Sequence, residues 1–197
     1  MTDARAAILS RIRAALADHP APVVPRDYQR AGTRGLVDVD RFTEVLRDYR
    51  ALVRVTDDVP ATIAAALADR GAVDVLAAPG CPPAWGGRRG TPSVDELDRA
   101  DAVITACHVA IADTGTIVLD HGSPDQGVRA LTLVPDYHLV VVRADQVVPG
   151  VPDAVAALAG VATQTWISGP SATSDIELER VEGVHGPRTL EVVLAVE

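Results

Sequence analysis

Apolar residues recur along this chain in blocks of helical and strand-like spacing that alternate. Ile8, Leu9, Ile12 and Leu16 share one face of a predicted helix over residues 4–17, with Arg5, Arg11 and Arg13 mostly off it. Pro20, Pro22 and Pro25 end that helix and make a semi-rigid spacer. The Ile8, Ile12 and Leu16 face is expected to be covered, by its own domain or by a partner, because an open face would be a contiguous apolar patch. Phe42, Val45, Leu46 and Tyr49 then mark a helix over residues 40–49, followed directly by a strand over 52–55. An alanine-rich helix over 59–70, with Pro60 in its first turn and Gly71 as its stop, leads into a buried strand over 73–77. Ser93 and Glu96 form a capping box that starts a short helix toward Ala100, and strands are predicted over 102–105, 117–119 and 138–143. Residues 107–112 read as a short helix or turn, and residues 152–158 as a helix.

Helices alternating with short apolar strands predict an α/β fold with a Rossmann-like, mostly parallel sheet over residues 31–197, preceded by a helical arm and Pro-rich linker over 1–30. The loop over 79–92, with Cys81, Trp85, Arg88 and Arg89 among prolines and glycines, reads as a surface segment anchored by its tryptophan or one that closes over a site.

Two turns combine glycine with hydroxyls at predicted strand ends. One is Asp113-Thr114-Gly115-Thr116; the other, Ser168-Gly169-Pro170-Ser171, follows a strand over 165–167. Glycine permits close backbone approach and proline fixes φ, so such turns can present amides and hydroxyls to a carboxylate or phosphate. Ser174-Asp175-Ile176-Glu177 has the capping-box pattern and implies a helix over 175–181, after which Gly183-Val184-His185-Gly186-Pro187 turns the chain into an apolar run over 189–196. Asp113, Asp175 and His185 are the acid–base candidates. Thr114, Gly115, Thr116, Ser168, Gly169, Pro170, Ser171, Thr173 and Gly186 are the ligand-binding candidates, and residues 114–116 and 168–171 with His185 are expected to converge on one cleft at strand ends of a single, mostly parallel sheet. The same residues also read as a helix cap and two turns. Asp120, His121 and Asp125 read as solvated turn residues. No two histidines stand at a recognised ligand spacing, so no metal site is expected.

The run Ile-Ser-Gly-Pro-Ser-x-Thr-x-Asp-Ile-Glu, followed by Gly-Val-His-Gly-Pro, resembles the signature of the lactate utilization protein C family, the LUD domain. The resemblance covers roughly residues 36–197 and is strongest over 111–119 and 166–188. It implies a fold like that of the CoA-transferase and ribose-phosphate isomerase group. It also implies service as an accessory subunit beside iron–sulfur and oxidoreductase subunits that oxidise lactate to pyruvate, with the clusters held by those partners. Two positions depart from the pattern: Asp113 stands where a glutamate is usual, and Ala172 where arginine is common. Losing that arginine removes a bidentate anion contact. A stand-alone enzyme acting on a CoA ester or sugar phosphate and a regulatory ligand-binding module are the alternatives, and turnover and self-association stay open.

Composition narrows the remaining classes. With 18 basic and 27 acidic residues the net charge is −9, which argues against a nucleic-acid partner. All the basic residues are arginines, so lysine-dependent phosphate loops and Schiff-base chemistry are excluded. Two cysteines, Cys81 and Cys107, fall short of the roughly four thiolates a cluster needs, and both read as buried small hydrophobes. No stretch approaches the length of a membrane span and the first residues lack an apolar leader core, so a cytoplasmic location is expected.

Overall fold

A computed structural model describes residues 4–19, 22–170, 172–173 and 181–196. Five strands make a wholly parallel sheet in the order β1 (Leu52–Thr56), β11 (Thr189–Ala195), β6 (Tyr137–Arg143), β3 (Ala102–Thr105) and β2 (Val75–Ala77). The predicted mostly parallel α/β fold is therefore present. A second sheet, β7 (Val147–Val148), β4 (Val109–Ile111), β5 (Thr116–Asp120) and β8 (Gln164–Ile167), is antiparallel except where β4 meets β7. A two-residue antiparallel pair joins β9 (Ala172–Thr173) to β10 (Val181–Glu182).

Period-2 alternation builds three apolar layers. Leu139 and Val141 of β6 meet Ile63 and Ala66 of α3 (Val59–Asp69) on one face of the parallel sheet. Val140 and Val142, together with Leu190, Val192 and Leu194 of β11, meet Ile117 and Leu119 of β5 and Phe42 and Leu46 of α2 (Val39–Asp48) on the other. The far face of the second sheet packs Val109, Ile111 and Val118 on Ala154 and Leu158, the former in α5 (Val151–Ala157) and the latter just beyond it.

Local chemistry sets the helix starts. Asp38 caps α2 by accepting from the Arg41 amide, and Asp58 caps α3 from the Ala61 amide with Pro60 in its first turn. Ser93 and Glu96 form the expected reciprocal box on α4 (Val94–Arg99). The 79–92 loop is pinned along its length. Trp85 packs against the core, Arg88 pairs with Asp74 at 2.7 Å, and its amide and carbonyl bond Val75 and Ala77.

Burial of one charge marks the face opposite the second sheet. Glu191, 1% exposed, accepts from Arg54 Nε at 2.5 Å and from the Tyr137 hydroxyl at 2.7 Å, and lies 3.4 Å from Arg70 Nε. The Arg70 guanidinium also stacks over the Tyr137 ring at 4.9 Å. Hydrogen bonding to Glu191 holds the Arg54 guanidinium above its ordinary range, while burial and then Glu191 push the Tyr137 phenol up.

Three expectations change. Residues 107–112 contain strand β4 rather than a helix or turn, because pairing with β5 and β7 on both sides decides a three-residue apolar run that periodicity cannot. Both glycine–hydroxyl turns belong to the second sheet, not to the parallel one. The first helix, α1 (Ala4–Ala15), forms as predicted but buries none of its residues among the described ones: Ile8 and Ile12, with Leu16 just beyond its end, are 57%, 48% and 57% exposed. Residues 32–34 do touch the second sheet and α5, through the Arg34–Asp113 ion pair and the Gly32 amide, which bonds Asp153 Oδ1 at 2.7 Å.

The turn glycines owe their identity to α2. Gly115 has φ +57° and a Cβ there would meet Val45 Cγ1 at 2.9 Å; Gly169 has φ +88° and a Cβ there would meet Tyr49 Cβ at 2.7 Å. The backbone of both turns is thus closely approached by α2 and its C-terminal cap. Gly169→Ala is expected to lower unfolding free energy by about 2–3 kcal/mol through strain plus overlap. Gly71→Ala, at φ +64° with open space around it, should cost only about 1 kcal/mol. Urea denaturation with unchanged m-values measures both, and equal losses would refute the α2 contact as the cause.

Candidate functional site

The end of β8 lies opposite the start of β5, since Ile117 pairs with Ile167, and the two hydroxyl turns therefore meet. Thr116 Oγ1 lies 2.8 Å from Ser168 Oγ and 2.7 Å from Thr114 Oγ1, which makes a continuous hydroxyl chain. Ser168, Gly169 and Pro170 continue into a cleft of about 230 Å³ whose other walls are Thr165 to Ile167, Arg129, Thr132 and His185 to Pro187. The cleft adjoins the segments that enter β6 and β11, so it sits toward the amino ends of those parallel strands. The carboxyl-end placement expected from open α/β sheets does not hold here.

The structure thus joins some predicted residues and separates others. Ser168, Gly169, Pro170, His185 and Gly186 share the cleft, and Thr116 and Thr114 reach it only through the Ser168 hydroxyl. Asp113 is elsewhere: it is ion-paired with Arg34 in a separate hollow with Gln29, Asp38 and Pro149. Ser171 and Asp175, with the predicted 175–181 helix, lie outside the described residues, apart from Val181, which pairs in β10; Thr173 is described only through its backbone pairing with Val181. His185 is exposed, and its carbonyl accepts from Arg129 Nη2 at 2.7 Å.

Three further groups belong to the site. Arg129, half-buried, spends two of its N–H donors on the His185 carbonyl and on Thr132 Oγ1 at 3.3 Å, and among the described residues it pairs with no carboxylate. Burial draws its guanidinium below the ordinary arginine range. His121 is not a solvated turn residue. It is half-buried, with Nδ1 2.7 Å from the Gly127 carbonyl and Nε2 2.6 Å from Thr165 Oγ1. The neighbouring turn is closed by its own bonds: Asp120 Oδ1 accepts from the Gly122 amide, and Asp125 Oδ1 from the Ser123 hydroxyl. Thr165, in the strand predicted over 165–167, lines the cleft. A polar residue set into an apolar strand was the available signal for Thr165. Nothing in the local pattern marked Arg129.

Behind the cleft, His138 is fully buried in β6 with Nε2 2.8 Å from Thr105 Oγ1 and Nδ1 unpartnered among the described residues. Burial, and secondarily the Arg129 charge, push its imidazole down to about 3. Burial likewise lifts the thiols of Cys81 to about 11 and Cys107 to about 12, which keeps both protonated and inert. No group of three or more His, Cys, Asp or Glu among the described residues is placed to hold a metal ion. None of the described helices is long and apolar enough to cross a membrane.

The LUD domain model matches residues 93–195 of this sequence. A lactate utilization protein C from Deinococcus radiodurans is 43% identical over 98% of this chain and 95% of its own length. The chain belongs to the LUD domain family. A lactate utilization protein C from Bacillus subtilis is 32% identical over 52% of this chain and 45% of that protein. The crystal structure of a DUF162 family protein from Deinococcus radiodurans superimposes with a TM-score of 0.69 at 40% identity, covering 80% of this chain and 96% of that one. Arg129, Thr165 and His185 all fall within the span matched by the LUD model.

The buried imidazole gives this LUD domain a specific acid response. Folded His138 holds a proton far less well than the unfolded residue, so the stability it leaves intact above pH 6.5 declines as pH falls toward 3. His138→Gln should show a shallower fall of the urea midpoint between pH 6.5 and 4 than the parent. Parallel curves would show that His138 does not drive the acid limb.

Proposed function

We propose that this LUD domain is an accessory subunit of an iron–sulfur-dependent system that oxidises lactate to pyruvate, and that its cleft binds a small carboxylate. Iron–sulfur clusters and electron transfer belong, in this reading, to partner iron–sulfur and oxidoreductase subunits. The names of the Deinococcus and Bacillus relatives support the metabolic assignment. Two buried cysteines, short of the roughly four thiolates that a cluster needs, support the division of labour.

The observation that carries the ligand class is Arg129. A half-buried guanidinium without a carboxylate partner among the described residues, set in a concave wall that Ser168 and Gly169 also line, suits a carboxylate of a few heavy atoms. The anion contact that Ala172 cannot make is supplied from a different part of the chain. Asp113, engaged by Arg34, takes no part in this reading.

Titration calorimetry with lactate, pyruvate and phosphate tests the ligand, and co-purification with cysteine-rich subunits tests the assembly. Arg129→Leu removes a charge-assisted contact worth about 1.5–3 kcal/mol and should weaken carboxylate binding roughly tenfold or more. Ser168→Ala should weaken it less. Binding that ignores Arg129→Leu would move the ligand out of this cleft, and failure to recover any iron–sulfur partner would sink the accessory-subunit reading.

A further inference from the structure

Thr165 and His121 form a pair that carbonyl chemistry orients. A backbone carbonyl only accepts, so the 2.7 Å contact to the Gly127 carbonyl places the ring proton of His121 on Nδ1. In the neutral ring Nε2 is then a lone pair, and the Thr165 hydroxyl, 2.6 Å away, donates to it. The hydroxyl oxygen of Thr165 keeps its lone pairs in a cleft that Arg129 also lines. We infer that Thr165 is a nucleophile and His121 its general base, and that the cleft performs acyl transfer from an oxoester or thioester of a short carboxylic acid.

The supports of this pair are rigid. Gly127 has φ +70°, and a Cβ there would meet Leu131 Cδ2 at 2.7 Å, so packing against Leu131 fixes the carbonyl that orients the ring. Gln126, 3% exposed, accepts from the Asp120 amide at 2.6 Å and ties the same turn to β5. On the other side, Thr165 is held in β8 opposite Leu119. Nucleophile, base and a third group that orients the base are thus each fixed by a different piece of backbone, the arrangement that makes a weak hydroxyl nucleophile reactive. Arg129, two residues after Gly127, lines the same cleft and is the cation available to an oxyanion formed there.

The reaction balances without a cofactor. Thr165 Oγ forms a bond to the acyl carbon while His121 Nε2 takes the hydroxyl proton, and the carbonyl oxygen becomes an oxyanion facing Arg129. Collapse breaks the carbon–sulfur or carbon–oxygen bond of the donor, and the departing thiolate or alkoxide takes the proton from Nε2. An ester on Thr165 remains. Water or an acceptor alcohol or thiol then attacks that ester, giving its proton to Nε2, from which it returns to Thr165 as the ester bond breaks.

This inference rests on the reading of the cleft as a site for small carboxylates, and the experiment separates the two. The full chain is incubated with p-nitrophenyl acetate, nitrophenolate release is followed, and the acetylated residue is located by peptide mass spectrometry. The expected result is an acetyl group on Thr165. Thr165→Val should lose the adduct and at least about 100-fold of the rate, the scale of a lost general-base-assisted step, while Thr165→Ser retains activity. His121→Gly should lose a similar factor and recover part of it with added imidazole, a rescue that a merely structural role for His121 would not show. Acetyl groups only on other residues, a rate unchanged in Thr165→Val, or His121→Gly indifferent to imidazole would each overturn the assignment. If Thr165→Val does not fold, adduct mapping on the parent and on Thr165→Ser decides the matter. A parent chain that binds lactate yet is never acetylated overturns the acyl-transfer step alone, whereas one acetylated on Thr165 that ignores lactate overturns the carboxylate reading alone.

Discussion

The insertion of β11 between β1 and β6 is the constraint on which the rest depends. The last strand in the chain pairs along its whole length with residues 137–143 on one side and through residues 191–195 with residues 52–56 on the other, so the first strand joins the sheet only through the last. Two of the three apolar layers draw on side chains of β11, Val193 on one face and Leu190, Val192 and Leu194 on the other. The same insertion carries Glu191 into the interior, where Arg54, Arg70 and Tyr137 must all be present to meet it. A buried carboxylate left without those partners would cost several kcal/mol, so the cluster disfavours a register shift that would place Glu191 on the apolar face toward the second sheet.

A second constraint is the close passage of α2 over the two glycine turns. Val45 and Tyr49 come near enough to Gly115 and Gly169 that neither position tolerates a β-carbon, and the positive φ at both bends the chain away into the hydroxyl contact between Thr116 and Ser168. Core packing, then, sets the spacing of the polar groups at the mouth of β5 and β8. The loop from Asp120 to Thr132 does the corresponding work on the opposite wall. Its interior bonds, Gln126 to the Asp120 amide and His121 to the Gly127 carbonyl, hold Arg129 and Thr165 in one cavity although 36 positions separate them.

Local rules made most of the elements legible in the sequence. Ser93, Glu96 and Pro60 act within one turn, and the strands over 52–56, 102–105 and 137–143 are apolar runs whose type is fixed by their length and by the helices between them. The strands β5 and β8 were legible, but their pairing into a second sheet with β4 and β7 was not. Val109 to Ile111 is too short to declare its period, and it becomes a strand because β5 and β7 flank it. The site divides along the same line. Ser168, Gly169 and His185 stand out through glycine and proline neighbours, which act locally. Arg129, Thr165 and His121 acquire meaning only when β8 is laid beside β5 and the 120–132 loop folds over it. Asp113 illustrates the opposite failure: its neighbours fit the motif, yet Arg34, far away in the sequence, takes its carboxylate.

Site and sheet are finally one structure. Arg129 is held by the carbonyl of His185, and His185 to Pro187 form the segment that leads into β11. A chain in which β11 has not inserted has neither the carbonyl that orients the guanidinium nor the buried Gly186–Pro187 wall. Under the proposed reading a carboxylate bound by Arg129 therefore binds only the inserted state, and linkage requires it to stabilise that state by RT ln(1 + [L]/Kd). The net charge of −9 makes the same point from electrostatics. An acidic chain repels anions at long range, so recognition falls to a guanidinium a few ångströms away in a partly desolvated cleft, where the surrounding charge is screened and the local donor dominates.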